Sequence, residues 1–374
     1  MAHRKRRVTA GGSEGRTPLI FSIGFRVVLI IAAASLVLSY ISVYINPTKF
    51  SIPMFFGMFF IPIAAINIIL FIVALLKRSK SAWIPVVTLL PFLLYAESFF
   101  KIGKRETEAT EYTSWLKIES YNIGMFNSSK AANGREECKL EIAEYLREER
   151  ADIVCLQECY VNGIQEIDTM LCSLYPYRHY KLFKTRKGKL FGNLTLSRHK
   201  ITGEGELVFS GSTNLSLYTD IDYNGTLIRV YNNHLESYNL SFTTLVKKFT
   251  SSRNNIGDEL QLMHDKMKGT SIKRSEQVNR VLQNISQSEY PAIICGDFND
   301  TPMSYTYNRL SHGRKDTFKE CGKNFGATFA PFWPLLRIDY ILIPQQWRAV
   351  RHTTNRIDFS DHYPVSAEIE IGPE

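Results

Sequence analysis

Residues 291–300 read PAIICGDFND, and the fold class turns on that stretch. A short β-prone apolar run, Ala292 to Cys295, is bounded by Pro291 and Gly296, the pattern of a buried strand. An acid and an amide, Asp297 and Asn299, follow it directly. The same form recurs along the chain. Glu158 ends DIVCLQE (152–158), His234 ends IRVYNNH (228–234), Asp339 sits inside RIDYIL (337–342), and Asp361 and His362 lie in SDHYPV (360–365) just before a last apolar run. A polar group fixed at the end of a buried strand is held rigidly, as a preorganised site requires. Taken singly, each has a plain structural explanation: Asp297 suits an Asx turn, Asp361 a cap, His234 a satisfied strand-end histidine. Their recurrence in one setting points to a site.

Working outward, residues 115–122, 152–156, 190–197, 215–221, 226–234, 338–343 and 365–371 also read as strands. Residues 135–150 and 273–285 show the apolar spacing of amphipathic helices, and 251–270 is polar. The mixed order predicts an α/β (α+β) fold in which two packed mixed β-sheets are flanked by helices. No internal repeat is evident.

The N-terminal third differs in kind. The 374 residues average 45% hydrophobic, but three apolar runs, 27–45, 52–76 and 82–100, concentrate much of that character. Each approaches the ~20 residues that cross a bilayer as a helix. Pro53, Pro62, Pro85 and Pro91 are tolerated in such helices. Residues 1–111 hold 13 Lys+Arg against 5 Asp+Glu, net +8, whereas 112–374 hold 32 against 31, net +1. The basic residues Arg4, Lys5, Arg6, Arg7 and Arg16, with Lys77, Arg78 and Lys80, assign the N-terminus and the second loop to the cytoplasm. Three crossings then make the C-terminal part extracytoplasmic; an interfacial third run would reverse that. The expected division is a basic cytoplasmic tail (1–18), a multi-pass membrane region with about three transmembrane helices (19–100), a linker (101–114) and a catalytic domain (115–374). The balanced charge of that domain lacks the basic footprint of a nucleic-acid binder. Six cysteines without CxxC pairs or regular spacing give neither a metal site nor a disulfide framework, and Cys155 and Cys295 read as buried thiols.

Carboxylate, amide and imidazole groups without zinc-type spacing suit a hard cation, Mg²⁺ or Mn²⁺. Two histidines beside such an ion could act as acid and base, and phosphoester hydrolysis is the reaction class this inventory supports.

The strings SYN (120–122), LQE (156–158), NHLES (233–237), GDFND (296–300), RIDYIL (337–342) and SDHYPV (360–365), in this order, resemble the endonuclease/exonuclease/phosphatase superfamily. Its members include deoxyribonucleases, AP endonucleases, neutral sphingomyelinases and inositol polyphosphate 5-phosphatases. The resemblance spans residues 115–371 and implies a four-layer sandwich. It also implies that Asn122, Glu158 and Asp361 are the metal-side residues. His234 would assist the phosphate or the leaving oxygen, and Asp297 would orient or deprotonate water. Asp339 would pair with His362, and His362 would contact the scissile phosphate. Asn299, with Asn193, is the candidate substrate-binding amide. Deoxyribonuclease-like members carry a Glu on the strand matching GNLTLSR (192–198); here only Asn193 lies there, which leaves the partner of His234 open. AP endonucleases have a Tyr near the position of His234, which weighs against abasic-site repair.

The expected activity is that of a membrane-anchored, Mg²⁺-dependent phosphoesterase. Alternatives are an extracytoplasmic nuclease, a sphingomyelinase-like phospholipid phosphodiesterase and, remotely, a catalytically silent membrane scaffold. Expected partners are a phosphoester (nucleic acid, phospholipid headgroup or small phosphate ester) and the lipid bilayer; no protein partner is implied. The basic stretch KLFKTRKGK (181–189) reads as a loop that could grip phosphate.

Overall fold

The computed structural model describes residues 19–102, 115–127, 134–171, 173–238 and 256–372. The basic tail 1–18, most of the linker 101–114 and residues 239–255 lie outside the described residues.

The first apolar run forms one straight helix, α1 (Leu19–Ile41). The second breaks into α2 (Ile52–Met58) and α3 (Phe60–Leu76), which meet at 75°. Pro62 gives the cause: it lacks the N–H that would bond the Met58 carbonyl four residues back, and its ring crowds that carbonyl. The third run breaks into α4 (Trp83–Leu89) and α5 (Phe92–Ala96) on either side of Leu90–Pro91 for the same reason. Of the three transmembrane helices expected, length and composition support fewer. Among the described residues one helix, Ile23–Ile41, is long and apolar enough to cross a membrane, or two if the bent pair is one span.

The helices nonetheless pack as a bundle. Leu29 and Ala33 of α1 meet Ala74 and Ile84, the Tyr40 ring stacks on Tyr95 at 5.6 Å, and the Asn67 side chain donates to the Ala32 carbonyl at 3.0 Å.

The remainder is a sandwich. Its strands are β1 (Phe100–Lys101), β2 (Leu116–Asn122), β3 (Ile153–Val161), β4 (Tyr177–Lys184), β5 (Leu190–Ser197), β6 (Ile201–Val208), β7 (Leu215–Tyr223), β8 (Thr226–His234), β9 (Ala292–Asp297), β10 (Arg314–Asp316), β11 (Asn324–Phe325), β12 (Asp339–Pro344), β13 (Arg348–Thr354) and β14 (Val365–Glu370). One sheet runs β13-β14-β2-β3-β5-β4 and the other β10-β12-β9-β8-β7-β6, with a small β1–β11 pair apart. Both sheets contain one parallel pair, β2 with β3 and β8 with β9, flanked by antiparallel neighbours.

Period-2 alternation distributes the side chains. Ile153 and Cys155 face inward, against Val230, Ile293, Cys295 and Ile341 of the other sheet. Val154 and Leu156 face outward, against α6 (Arg135–Glu149) and α7 (Ile164–Leu171). The outer face of the second sheet is covered by α8 (Ile256–Ser286), through Val278 and Val281, and by α9 (Tyr305–Ser311). Strands buried on both faces read as continuous apolar runs, which explains AIIC and DIVCL.

Helix α8 starts well before the 273–285 expected, and it takes in part of the polar stretch. The basic segment 181–189 is half strand and half turn: 181–184 end β4 and 185–189 make the hairpin turn into β5. Lys181 lies on β4 and pairs with Glu206 at 2.5 Å.

The helical bundle docks on the sandwich. The Ser42 hydroxyl donates to the Met303 carbonyl at 2.6 Å, Gly326 N–H donates to the Phe99 carbonyl at 2.9 Å, and Phe60 and Phe99 bury with Met303. At Gly57 an added Cβ would lie 2.2 Å from the Met303 carbonyl oxygen, so glycine sets this close approach.

Candidate active site

Two parallel pairs, in sheets packed face to face, bring four strand ends to one edge of the sandwich. Asn122 ends β2, His234 ends β8 and Asp297 ends β9, while β3 carries Glu158 near its C-terminal end. Strand register sets His234 and Asp339 on either side of Asp297. Gly296 permits this spacing: its φ is +124°, and a Cβ there would lie 2.0 Å from the Asn233 carbonyl oxygen.

Asp297 is the hub. Its Oδ2 accepts from Asn122 Nδ2 at 2.9 Å and from Asn299 Nδ2 at 3.0 Å, while Oδ1 accepts from the Asn299 backbone at 2.8 Å. His362 Nε2 stands 3.8 Å from Asp297 Oδ2, and His362 Nδ1 is bonded to Asp339 Oδ2 at 3.0 Å. His234 Nε2 faces Glu158 Oε1 at 3.5 Å and Asp297 Oδ2 at 4.0 Å, and that nitrogen has no hydrogen-bond partner among the described residues. Those two carboxylates are what His234 meets in place of the missing strand Glu.

Glu158 is delivered by a β-bulge. In the pairing of β3 with β5 the register steps from Leu156–Leu194 to Cys159–Gly192, so Gln157 and Glu158 oppose Asn193 alone. Glu158 itself has φ +56°, a strained conformation for a non-glycine residue that recurs at functional sites. Asn122 Nδ2 approaches its Oε1 at 3.3 Å.

Burial pushes Asp297 up to about 6; His362 opposes that shift and Asp339 adds to it. Burial also raises Glu158 and lowers His234. Burial alone would lower His362, but the Asp339 and Asp297 carboxylates outweigh it and hold the ring well above the usual imidazole range.

Asp361 lies at the rim, exposed, with Oδ1 3.4 Å from the Ser360 hydroxyl, which itself donates to the Asn122 carbonyl. Two assignments need revision. Asn193 is buried and donates to the Leu215 and Asn232 carbonyls at 3.4 and 3.3 Å, so it ties the sheets together beneath the bulge and does not face a substrate. Asn299 stays in the cluster, but both its amide hydrogens are spent, on Asp297 and on the Leu235 carbonyl, so it orients Asp297 instead of presenting donors to phosphate.

Three further contributors were not among the candidate residues. Thr328 Oγ1 accepts from the backbone of Ile338 and Asp339 at 3.0 and 3.1 Å, Phe329 sets its ring edge-on to His362 at 5.1 Å, and Ser360 accepts from the His362 backbone at 3.2 Å. Thr328 and Phe329 lie in a stretch that no motif marked, whereas Ser360 opens the string SDHYPV beside its own partner. Thr328→Val keeps the shape and strands two buried donors. The expected cost is about 1–3 kcal/mol, measured as a lowered urea midpoint with unchanged slope.

The cluster forms one end of a cavity of about 870 Å³. Glu158, Asp297, Asn299, Asp361 and His362 line that end. The other walls come from the 57–62 break between α2 and α3, from Met263 and Met267 of α8, and from the 329–336 loop. A second depression of about 970 Å³ lies between β13 and the β1–β11 pair and contains none of the cluster.

A two-sheet α/β sandwich with acids and imidazoles gathered at its strand ends defines a class of hydrolases that act on phosphoester bonds. Residues 120–362 match the family described as Endonuclease/Exonuclease/phosphatase family, and the chain belongs to it. Residues 22–99 match a separate family described as a domain of unknown function (DUF8431). No curated protein matches the sequence. Similar solved structures include the endonuclease/exonuclease/phosphatase from Beutenbergia cavernae, 19% identical with TM-score 0.51 over 70% of this chain and 72% of that one. That from Bacteroides vulgatus is 17% identical with TM-score 0.51 over 69% of this chain and all of the other. At such identities the likeness is one of fold.

Proposed function

We propose that the chain is a membrane-anchored, Mg²⁺-dependent phosphoesterase whose reaction centres on Asp297. The observation that carries this reading is the Asp297 hub, one buried carboxylate held by two asparagines and faced by two histidines.

A divalent cation fits the donor set. Glu158, Asp297, Asp339 and Asp361 act on one another electrostatically against the single raised imidazole of His362, an excess of negative charge that a dication would offset. Asp297, Asp339 and His362 can each bring one ligand atom within 4.8 Å of the others. A protonated His362 bonded to Asp339, however, has no lone pair to give. The oxygens of Glu158 and Asp361 are the better hard-cation donors, with Asn122 beside them, its amide N–H groups turned to Glu158 and Asp297 and its oxygen to the Gly124 N–H. Bound there, Mg²⁺ would supply Lewis-acid stabilisation of the phosphoryl oxygens.

The chain's own residues do the rest. Asp297, with its carboxyl near neutral pH, takes a proton from the attacking water. The water oxygen bonds to phosphorus, the P–O bond to the alcohol breaks, and the leaving oxygen takes a proton from solvent, to which Asp297 gives up the one it removed. His362 places positive charge beside the phosphoryl oxygens, and Asp339 keeps its ring oriented and protonated. His234, neutral, is available to hydrogen-bond the phosphate or the leaving oxygen.

The geometry of the bundle supports the anchor and its direction. Lys77 lies over the Phe25 ring at 5.0 Å, so the basic second loop meets the start of α1, whereas the end of α1 docks on the sandwich through Ser42. Basic residues thus gather at the end of the bundle away from the catalytic domain, and the positive-inside rule assigns that domain to the outer side.

The test is metal removal. EDTA is expected to abolish hydrolysis of bis-p-nitrophenyl phosphate or p-nitrophenyl phosphate by the full chain, and Mg²⁺ or Mn²⁺ to restore it. Full activity after chelation would rule out this mechanism.

A further inference from the structure

The cavity above the cluster is far larger than a phosphate group needs, and its polarity is one-sided. The five polar residues of the cluster close one end, and Ser237, Tyr238 and Thr301 add three hydroxyls to the lining. The opposite walls are side chains such as Met58, Phe59, Phe60, Met263, Met267 and Leu336, and no Lys or Arg is among the described residues that line it. A polyanion such as a nucleic acid draws its affinity from lysines and arginines along its backbone, and the described walls of this cavity offer none. It offers an apolar surface with methionines, whose unbranched, flexible side chains adapt to an irregular or mobile occupant.

The source of the wall narrows the choice further. Residues 57–62 belong to the break between α2 and α3, where Pro62 turns the helix aside. Beyond it α3 presents Ile66, Ile69 and Ile72 outward, each at least half exposed. An exposed apolar helix face of this extent on a bilayer-length bundle is a lipid-facing surface. The apolar side of the cavity is therefore built from the same bent helix pair that presents this surface.

We infer that the substrate is an amphiphilic phosphoester, one whose long apolar tail lies against the 57–62 wall while its phosphoryl group reaches Asp297 and His362. This rests on the phosphoesterase reading above and adds the class of substrate. The helical region is thus part of the binding site as well as an anchor.

The experiment uses the full chain in detergent with Mg²⁺ and two chromogenic or phosphate-releasing series of increasing chain length. One series is the methyl, butyl and octyl p-nitrophenyl phosphates, and the other is the matching alkyl phosphates read as released phosphate. In at least one series kcat/KM is expected to rise roughly tenfold or more from methyl to octyl, since each methylene withdrawn from water adds binding free energy. Met267→Gln and Leu336→Asn, on walls contributed by different elements, are each expected to bring the octyl-to-methyl ratio close to one. Turnover that is equal across chain lengths in the unmodified chain overturns the inference and leaves the phosphoesterase reading standing. A rising series whose ratio survives in both variants overturns the assignment of the tail to this cavity. No turnover of any member with Mg²⁺ or Mn²⁺ overturns the phosphoesterase reading, and the inference with it.

Discussion

Asp297→Asn is expected to lower kcat/KM for any phosphoester substrate by a factor on the order of 10³–10⁴ while leaving the fold cooperative, because the change removes a base and disorders its holders together. The hydrogen-bond pattern makes the substitution less conservative than its shape. In the native cluster Oδ1 accepts the Asn299 backbone N–H, and Oδ2 accepts the side-chain amides of Asn122 and Asn299. An amide has one oxygen and one NH₂. Whichever way it turns, the NH₂ faces an N–H donor. With the NH₂ in the place of Oδ2, Asn122 loses its anchor beside Glu158 and the Asn299 side chain loses its acceptor; turned the other way, the Asn299 backbone N–H loses its acceptor instead. Asp297→Ala removes the base without that conflict and is expected to lose activity to a similar extent. The measurement is steady-state turnover of both variants, paired with urea unfolding to show that the sandwich persists. Either variant within tenfold of the unmodified chain would remove Asp297 from the chemistry.

The sequence reading succeeded where both faces of a strand are buried. Strands β5 and β8 lie where their apolar patterns put them, 190–197 and 226–234, and β9, β12 and β14 differ by a residue or two at their ends. The polar groups that follow such strands converge because each sheet has a parallel pair whose C-terminal ends share an edge. That pairing is shared by the two sheets and is invisible as a sequence repeat, since different side chains fill equivalent positions.

The edge strands of both sheets, β4, β6, β10 and β13, were missed. Strand β6 alternates exposure and includes Gly203 and Gly205, residues that weaken a strand; at Gly205 a Cβ would lie 2.2 Å from the Tyr218 ring. Strands β4 and β13 carry charges suited to an exposed edge, and such charges read as loop.

The candidate site was legible as a set of residue types but not as a geometry. Asn193 matched by position in the chain, yet the bulge at Gln157–Glu158 takes the place toward the cluster and turns Asn193 inward. The apolar wall was hidden for a different reason. Pro62 reads as a tolerated proline in a membrane helix; the packing of Gly57 on Met303 and the cavity shared by 57–62 with Asp297 and His362 show that the break it creates faces the catalytic cluster.

Asp339→Asn is expected to cost about 10²–10⁴ in kcat and to change the pH dependence, which distinguishes it from simple loss of packing. Asp339 accepts the Nδ1–H of His362 at 3.0 Å, and its charge is the main influence that outweighs burial and raises the ring well above the usual imidazole range. A raised imidazole keeps its proton through neutral pH, so positive charge is present beside the phosphoryl oxygens there. With a neutral amide in place of the carboxylate, burial dominates and the ring loses its proton at lower pH. The sign follows: activity at neutral pH falls, and the activity that remains should rise as pH is lowered through the range in which the ring regains its proton, limited below by protonation of Asp297. The amide can also donate to Nδ1, which favours the neutral ring and leaves the imidazolium still harder to form. A pH–rate profile of kcat for the two proteins, under saturating Mg²⁺, reads this directly. A variant with a lowered rate and an unshifted alkaline limb would show that Asp339 only packs, and that the charge on His362 is not what the reaction uses.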